Sequence, residues 1–188
     1  DGLRVSCVCY ADDVILVAKS MEDLAVMLKD VIGAMGEEAG LSIGEEKTHW
    51  SSYPRLPGVE LEAGSTWVEW EPHLTFVGSL LDLQGSSGPA VAYRMVQAQA
   101  AMSRWRPILC CRWLPRARRC SLATVAVWSS LLWCAGCWKP TTVMQRRISS
   151  WGARVMSTIA GIRRNPQEET GQWWRRLYRT GHQLVHRY

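Results

Sequence analysis

Charge reverses sign across the segment Gly85-Ser86-Ser87-Gly88-Pro89, and no other feature constrains the fold as much. Residues 1–89 carry 5 basic and 15 acidic groups, net −10, while residues 90–188 carry 17 basic and 2 acidic groups, net +15. Before that segment strand-like runs flank a single helical stretch, and beyond it the apolar spacing is a three-to-four-residue repeat. Alternation puts apolar side chains on one face of a strand, and the longer repeat puts them on one face of a helix. Gly, Ser and Pro punctuate both patterns. The sequence predicts an α+β chain with a strand-bearing part over 1–84, a linker over 85–89, a helical domain over 90–165 and a basic C-terminal helix over 166–188.

A chain of 188 residues suffices for one domain or two small ones. Its first strand pattern begins almost at Asp1, which reads as a fragment of a longer chain. Residues 1–30 lack a basic start followed by an apolar core, so no secretory signal is expected. The seven cysteines are accordingly read as reduced thiols. Cys134 and Cys137 have ligand-like spacing, as do His182 and His186, but the two pairs stand too far apart for a zinc finger. They read as buried thiols in a helix and surface histidines. Basic groups attract phosphate irrespective of sequence, and here Arg residues interleave with Trp, which favours nucleic acid over a merely solvated face.

In the first half, residues 3–9 alternate and residues 14–18 form an apolar, β-branched-rich run, so both read as strands. Ser20 suits an N-cap, with Asp23 three residues on. Leu24, Leu28, Val31, Ile32 and Met35 then follow helical spacing up to Gly40. A strand over 41–44 and a segment around 47–52 are expected to follow, then a loop over 53–65 within which Val59 to Leu61 have the pattern to pair. Residues 66–70 and 74–81 are expected to pair as one hairpin around Glu71-Pro72-His73.

Beyond the linker, Val91, Met95, Ala98, Met102 and Trp105 form a helical stripe that Pro107 should end. Helices are also expected over 116–138, 141–161 and 167–186. In the third helix of this part, Met144, Ile148, Trp151, Val155 and Ile159 share a face. The chain holds eleven Trp and one Phe; Trp105, Trp113, Trp128, Trp133 and Trp138 are read as bundle core rather than base-stacking platforms. Residues 120–138 contain no charge. Two readings stand: a bilayer span flanked by Arg116, Arg118 and Arg119, or a central bundle helix buried by basic amphipathic neighbours. Ser121, Thr124, Ser129 and Ser130 dilute its hydrophobicity and favour the second.

The chemistry-bearing segment is Tyr10-Ala11-Asp12-Asp13, between the first two strands. An Asp-Asp turn needs no metal, since Asp is an ordinary turn former. Two carboxylates mounted between strands nevertheless suit Mg²⁺, which takes one or two carboxylates and fills its shell with water and substrate phosphates. Two such ions can stabilise the attacking and leaving oxygens of an in-line phosphoryl transfer.

This block resembles the catalytic motif of reverse transcriptases, above all those of non-LTR (LINE-type) retrotransposons, and the order of later motifs is similar too. Gly40-Leu41-Ser42-Ile43 with Lys47-Thr48 resembles the family's GL-x-I-x-x-x-K-T segment. Thr75-Phe76-Val77-Gly78-Ser79 resembles its F-x-Y-L-G-S primer-grip hairpin, with the aromatic placed differently. Arg94-Met95-Val96 with Ala98 and Ala101 resembles the first thumb helix, and Arg154-Val155-Met156 with Ile159-Ala160-Gly161 resembles a later R-x-I-L-G element.

The resemblance implies the C-terminal part of a polymerase palm followed by an all-helical thumb. It implies extension of a DNA primer on an RNA template with dNTPs, using Mg²⁺ or Mn²⁺, inside the cell in cytoplasm or nucleus and with the remainder of a parent polyprotein. Asp12 would be the metal ligand and Asp13 its companion, with Tyr10 and Ala11 as motif flanks. Lys47 would help protonate the leaving pyrophosphate. Phe76, Val77, Gly78 and Ser79 would grip the primer, where a Gly lets a sugar-phosphate approach closely. Arg94, Arg104 and Arg106 would face the template–primer groove. The family's third carboxylate comes from an earlier strand, and Asp1 lies too close to the motif to serve. The chain alone is therefore expected to be inactive, and the rival expectation is a non-catalytic retroelement remnant that binds nucleic acid.

Overall fold

A computed structural model describes residues 6–37, 40–63, 66–162 and 165–185. The protein is mixed α+β and divides into two compact units, Asp1–Ser86 and Ser87–Tyr188.

In the first unit, β1 (Cys7–Tyr10) and β2 (Asp13–Leu16) pair antiparallel, with Cys7 opposite Leu16 and Tyr10 opposite Asp13. Leu3 and Val5, expected in the first strand, and Asp1 lie outside the described residues. Helix α1 (Met21–Glu37) starts where the sequence predicts, because Ser20 Oγ accepts the Asp23 N–H at 3.1 Å. Three strands form a mixed sheet in the order β3-β5-β4: β3 (His49–Trp50) runs parallel to β5 (Thr66–Trp70), and β4 (Leu61–Ala63) runs antiparallel to it. Leu28 of α1 packs with Trp50, Leu61 and Val68 of this sheet, and Leu16 of β2 joins from the side. A last hairpin, β6 (Leu74–Phe76) and β7 (Ser79–Leu81), turns through Val77 and Gly78.

Two expectations fail here. Residues 66–70 and 74–81 do not make one hairpin. β5 takes β3 and β4 as partners, and residues 74–81 fold on themselves, because Val77 and Gly78 both adopt positive φ (49° and 69°), the signature of a tight type I′ connection. Residues 41–44 form no strand. The Gly44 carbonyl accepts the Lys47 N–H and the Thr48 hydroxyl, both at 3.0 Å, which closes a 3₁₀ turn over Glu45–Lys47 instead.

The second unit is helical. Helix α2 (Gly88–Leu109) carries Pro89 in its first turn, so the expected linker over 85–89 is partly helix. Pro107 does not end α2. It lies in the last turn, where a missing N–H costs one bond, and the Cys110 N–H still reaches the Arg106 carbonyl at 2.9 Å. Helix α3 (Arg116–Ala123), a π-helical turn over Thr124–Trp128 and α4 (Ser129–Leu132) make one continuous run. Extended backbone at Trp133 and a left-handed Cys134 (φ 59°) end it six residues before the expected 138. Helix α5 (Thr142–Ala160) has the predicted ends: Thr141 Oγ1 accepts the Met144 N–H at 3.2 Å, and Gly161 is left-handed. Helix α6 (Thr170–Val185) packs on α3 and α5.

By length and composition, Arg116–Cys137 could cross a membrane. Cys120, Ala123, Val127 and Leu131 nevertheless recur on one face and are buried with Ala98, Met102, Leu109, Trp151, Val155 and Ile159. Its opposite side shows Leu122, Leu132 and Val125, the last 75% exposed. The Trp expectation fails for three of five residues: Trp105, Trp113 and Trp133 are exposed, while Trp128 and Trp138 are half-buried. Cys137 is exposed too, not buried as expected, and Cys134 is half-buried. Of the histidine pair, His186 lies outside the described residues.

Trp151 anchors the helical core. Its Nε1 donates to Gln99 Oε1 on α2 at 3.1 Å, and its ring meets Trp128 edge-on at 5.7 Å between centroids. Gly152 lets that ring approach, since a Cβ there would overlap Trp128 Cη2. Gly152→Ala should therefore destabilise the protein by about 1–3 kcal/mol, against the usual helix preference for Ala. A urea melt followed by circular dichroism measures this. A separate check comes from the thiols: burial raises the Cys120 pKa despite Arg119 and Arg116 nearby. Cys120 should therefore alkylate with iodoacetamide more slowly than exposed Cys137 at pH 8, read by mass spectrometry.

Candidate active site

The turn between β1 and β2 consists of Ala11 and Asp12, with Tyr10 and Asp13 as the closing pair. Ala11 has φ 52°, a left-handed backbone that costs a residue with a Cβ free energy. All four residues are exposed, Tyr10 to 63%. Both carboxylates thus stand at the tip of a short hairpin and carry hard oxygen donors.

Sixty-four residues later the chain returns to this tip. The Val77 N–H donates to Asp13 Oδ2 at 3.1 Å. Val77 is the first residue of the β6–β7 turn, and it is the second left-handed non-glycine in the unit. For a β-branched side chain this conformation is an outlier. The structure therefore brings Tyr10-Ala11-Asp12-Asp13 and Phe76-Val77-Gly78-Ser79 together turn to turn. Phe76 and Ser79 are half-buried and Gly78 is exposed.

The remaining expected residues are placed as follows. Lys47 ends the 3₁₀ turn and is exposed. Arg94, Arg104 and Arg106 all lie on α2, but they do not share a face, because Arg104 and Arg106 are about 200° apart around the helix. Arg94 is half-buried with its guanidinium 5.6 Å from the Tyr93 ring centroid, whereas Arg104 and Arg106 are exposed.

Carboxylate oxygens suit Mg²⁺ or Mn²⁺, so Asp12 and Asp13 have the donor chemistry for either ion. Among the described residues, they join no group of three or more His, Cys, Asp and Glu. The sequence reading passed over Cys7 and Cys9, whose Sγ atoms sit 3.4 Å apart on β1 beside the motif. Their i, i+2 spacing on a strand was the available signal. The Cys7 pKa is raised, first by that contact with Cys9.

No protein-family model, curated protein or solved structure matches this chain.

The turn-to-turn contact can be tested directly. Asp13→Ala should lower hydrogen-exchange protection of the Val77 amide about tenfold, equivalent to about 1.4 kcal/mol. Asp13→Asn keeps an acceptor oxygen and should retain most of that protection, although it removes the charge.

Proposed function

We propose that this chain is part of a reverse transcriptase, the C-terminal portion of the palm followed by a helical thumb, and that it serves RNA-directed DNA synthesis. The hydrogen bond from the Val77 N–H to Asp13 Oδ2 is the observation that carries the reading. It juxtaposes the two sequence blocks that a polymerase needs side by side, one to hold metal and one to hold the primer end. An exposed carboxylate pair at a hairpin tip can reach a nucleic-acid 3′ end, and the strained Ala11 and Val77 backbones mark both turns as specialised.

In this reading Asp12 and Asp13 would hold Mg²⁺ through carboxylate oxygens, and the remaining donors would come from water, phosphate and another part of the parent polyprotein. The bound metal would neutralise charge developing on the transferred phosphoryl group. Asp13 has a second task, because its Oδ2 orients the Val77–Gly78 turn. Phe76 and Ser79 flank that turn, and Gly78, lacking a Cβ, lets a sugar-phosphate approach closely. Lys47 would act as a proton donor to pyrophosphate only if substrate binding brings the two within hydrogen-bond reach.

The strongly basic second part of the chain, net +15 over residues 90–188, favours a second reading: a non-catalytic retroelement remnant that binds nucleic acid. One experiment separates the two. The whole open reading frame containing this chain, given RNA template, DNA primer and dNTPs, should incorporate nucleotide in Mg²⁺ or Mn²⁺. Asp12→Asn and Asp13→Asn should each cut incorporation by about a hundredfold or more while template–primer binding persists. Binding without incorporation by the unaltered protein would reject the enzyme and favour the remnant.

A further inference from the structure

We infer that the second unit holds a separate site for single-stranded nucleic acid, in which an arginine-lined cavity takes a backbone phosphate and Trp113 stacks a neighbouring base. The inference concerns residues outside the candidate active site and does not rest on the polymerase reading.

The cavity, about 780 Å³, lies where the start of α3 meets the end of α5. Arg112, Arg116 and Arg119 line it together with Ser157, Thr158 and Gly161, and its lining contains no Asp or Glu. Arg119 is the unusual member. It is a charged residue only 7% exposed. Its Nη1 donates to the Ile159 carbonyl, and its buried Nε has no partner among the described residues. A buried guanidinium with no counter-ion among the described residues is costly, so an anion entering this cavity would be stabilised by what the fold leaves uncompensated.

The backbone adds to the same preference. Pro115 precedes α3 and provides no side-chain cap, so the first-turn N–H groups of that helix lack a capping partner and present the positive end of its dipole. Three carbonyls at the end of α5 are already occupied. The Ile162 N–H bonds the Ser157 carbonyl at 2.9 Å, the Gly161 N–H bonds the Thr158 carbonyl at 3.3 Å, and Arg119 takes Ile159. The Ser157 and Thr158 hydroxyls both donate to the Arg154 carbonyl, at 2.8 and 2.9 Å. Donors for an anion therefore come from the arginines and from the start of α3.

Trp113 makes the ligand more than free phosphate. It stands between Arg112 and Leu114, two residues of the cavity lining, and it is 96% exposed. An indole so exposed gains nothing from the protein core. Beside a cationic pocket it forms the pairing used for single strands, a phosphate clamp with an aromatic platform. Arg112 and Arg116 are exposed as well and can follow the backbone on either side.

The test is fluorescence anisotropy of the full chain with a fluorescein-labelled oligothymidylate, titrated at several salt concentrations, with inorganic phosphate as competitor. Trp113→Ala should weaken oligonucleotide binding about tenfold. Arg112→Gln and Arg116→Gln should each weaken it and reduce the salt slope by about one. All three residues are exposed, so the variants should keep the parent's melting temperature. Unchanged affinity and slope in the arginine variants would overturn the site. Binding that is lost in the arginine variants, is indifferent to Trp113→Ala and is displaced equally by inorganic phosphate would reduce it to a plain anion pocket and overturn the nucleic-acid assignment.

Discussion

The Asp13 carboxylate and the Val77 amide hold the candidate active site together, and most of what is chemically interesting in the first unit depends on that bond. Neither flanking hairpin is substantial: β1–β2 pairs four residues with four, and β6–β7 pairs three with three. Two-stranded hairpins of this size are marginal by themselves. Leu16 ties the first to the cluster around Leu28, Trp50, Leu61 and Val68. The Asp13 bond then ties the second hairpin to the first. Both turns carry left-handed backbone at residues with a Cβ, Ala11 and Val77, which tighter sequences would give to Gly or Asn. Backbone strain at two apposed turns persists only because the surrounding contacts hold it.

The second unit depends on a different constraint, the close approach of α5 to the run α3–α4. Gly152 lets the Trp128 ring settle against α5, Trp151 closes over it, and Arg119 spans from α3 to the last turn of α5. That spanning contact has a chemical consequence, since it satisfies the Ile159 carbonyl while leaving the Arg119 Nε buried and unpaired. One residue thus serves both as a helix clamp and as the charged floor of a cavity.

Much of the fold was legible where a single element decides its own ends. Ser20 and Thr141 cap α1 and α5 because a short hydroxyl side chain satisfies an orphan N–H locally, and Gly161 ends α5 because it alone takes the left-handed turn without cost. The stripe Ile148, Trp151, Val155, Ile159 was legible for the same reason of periodicity. Strand partnership was not. Residues 66–70 alternate as well beside residues 74–81 as between β3 and β4, and only the burial of Trp50, Leu61 and Val68 on α1 selects the second. Trp residues misled because side-chain size argues for the core, whereas Trp113 sits in a turn between α2 and α3 that faces solvent.

The sequence by itself determined the mixed α+β class, the start of α1, both ends of α5 and the pair Asp12-Asp13 at a turn. These follow from local chemistry: charge, periodicity and capping act over a few residues and need no distant partner. Only the tertiary structure decided that Val77 meets Asp13 across sixty-four residues, and that Arg112, Arg116 and Arg119 enclose a cavity with the end of α5. Those arrangements depend on which apolar faces pack together, and packing compares all the alternatives of the whole chain, which no local pattern records.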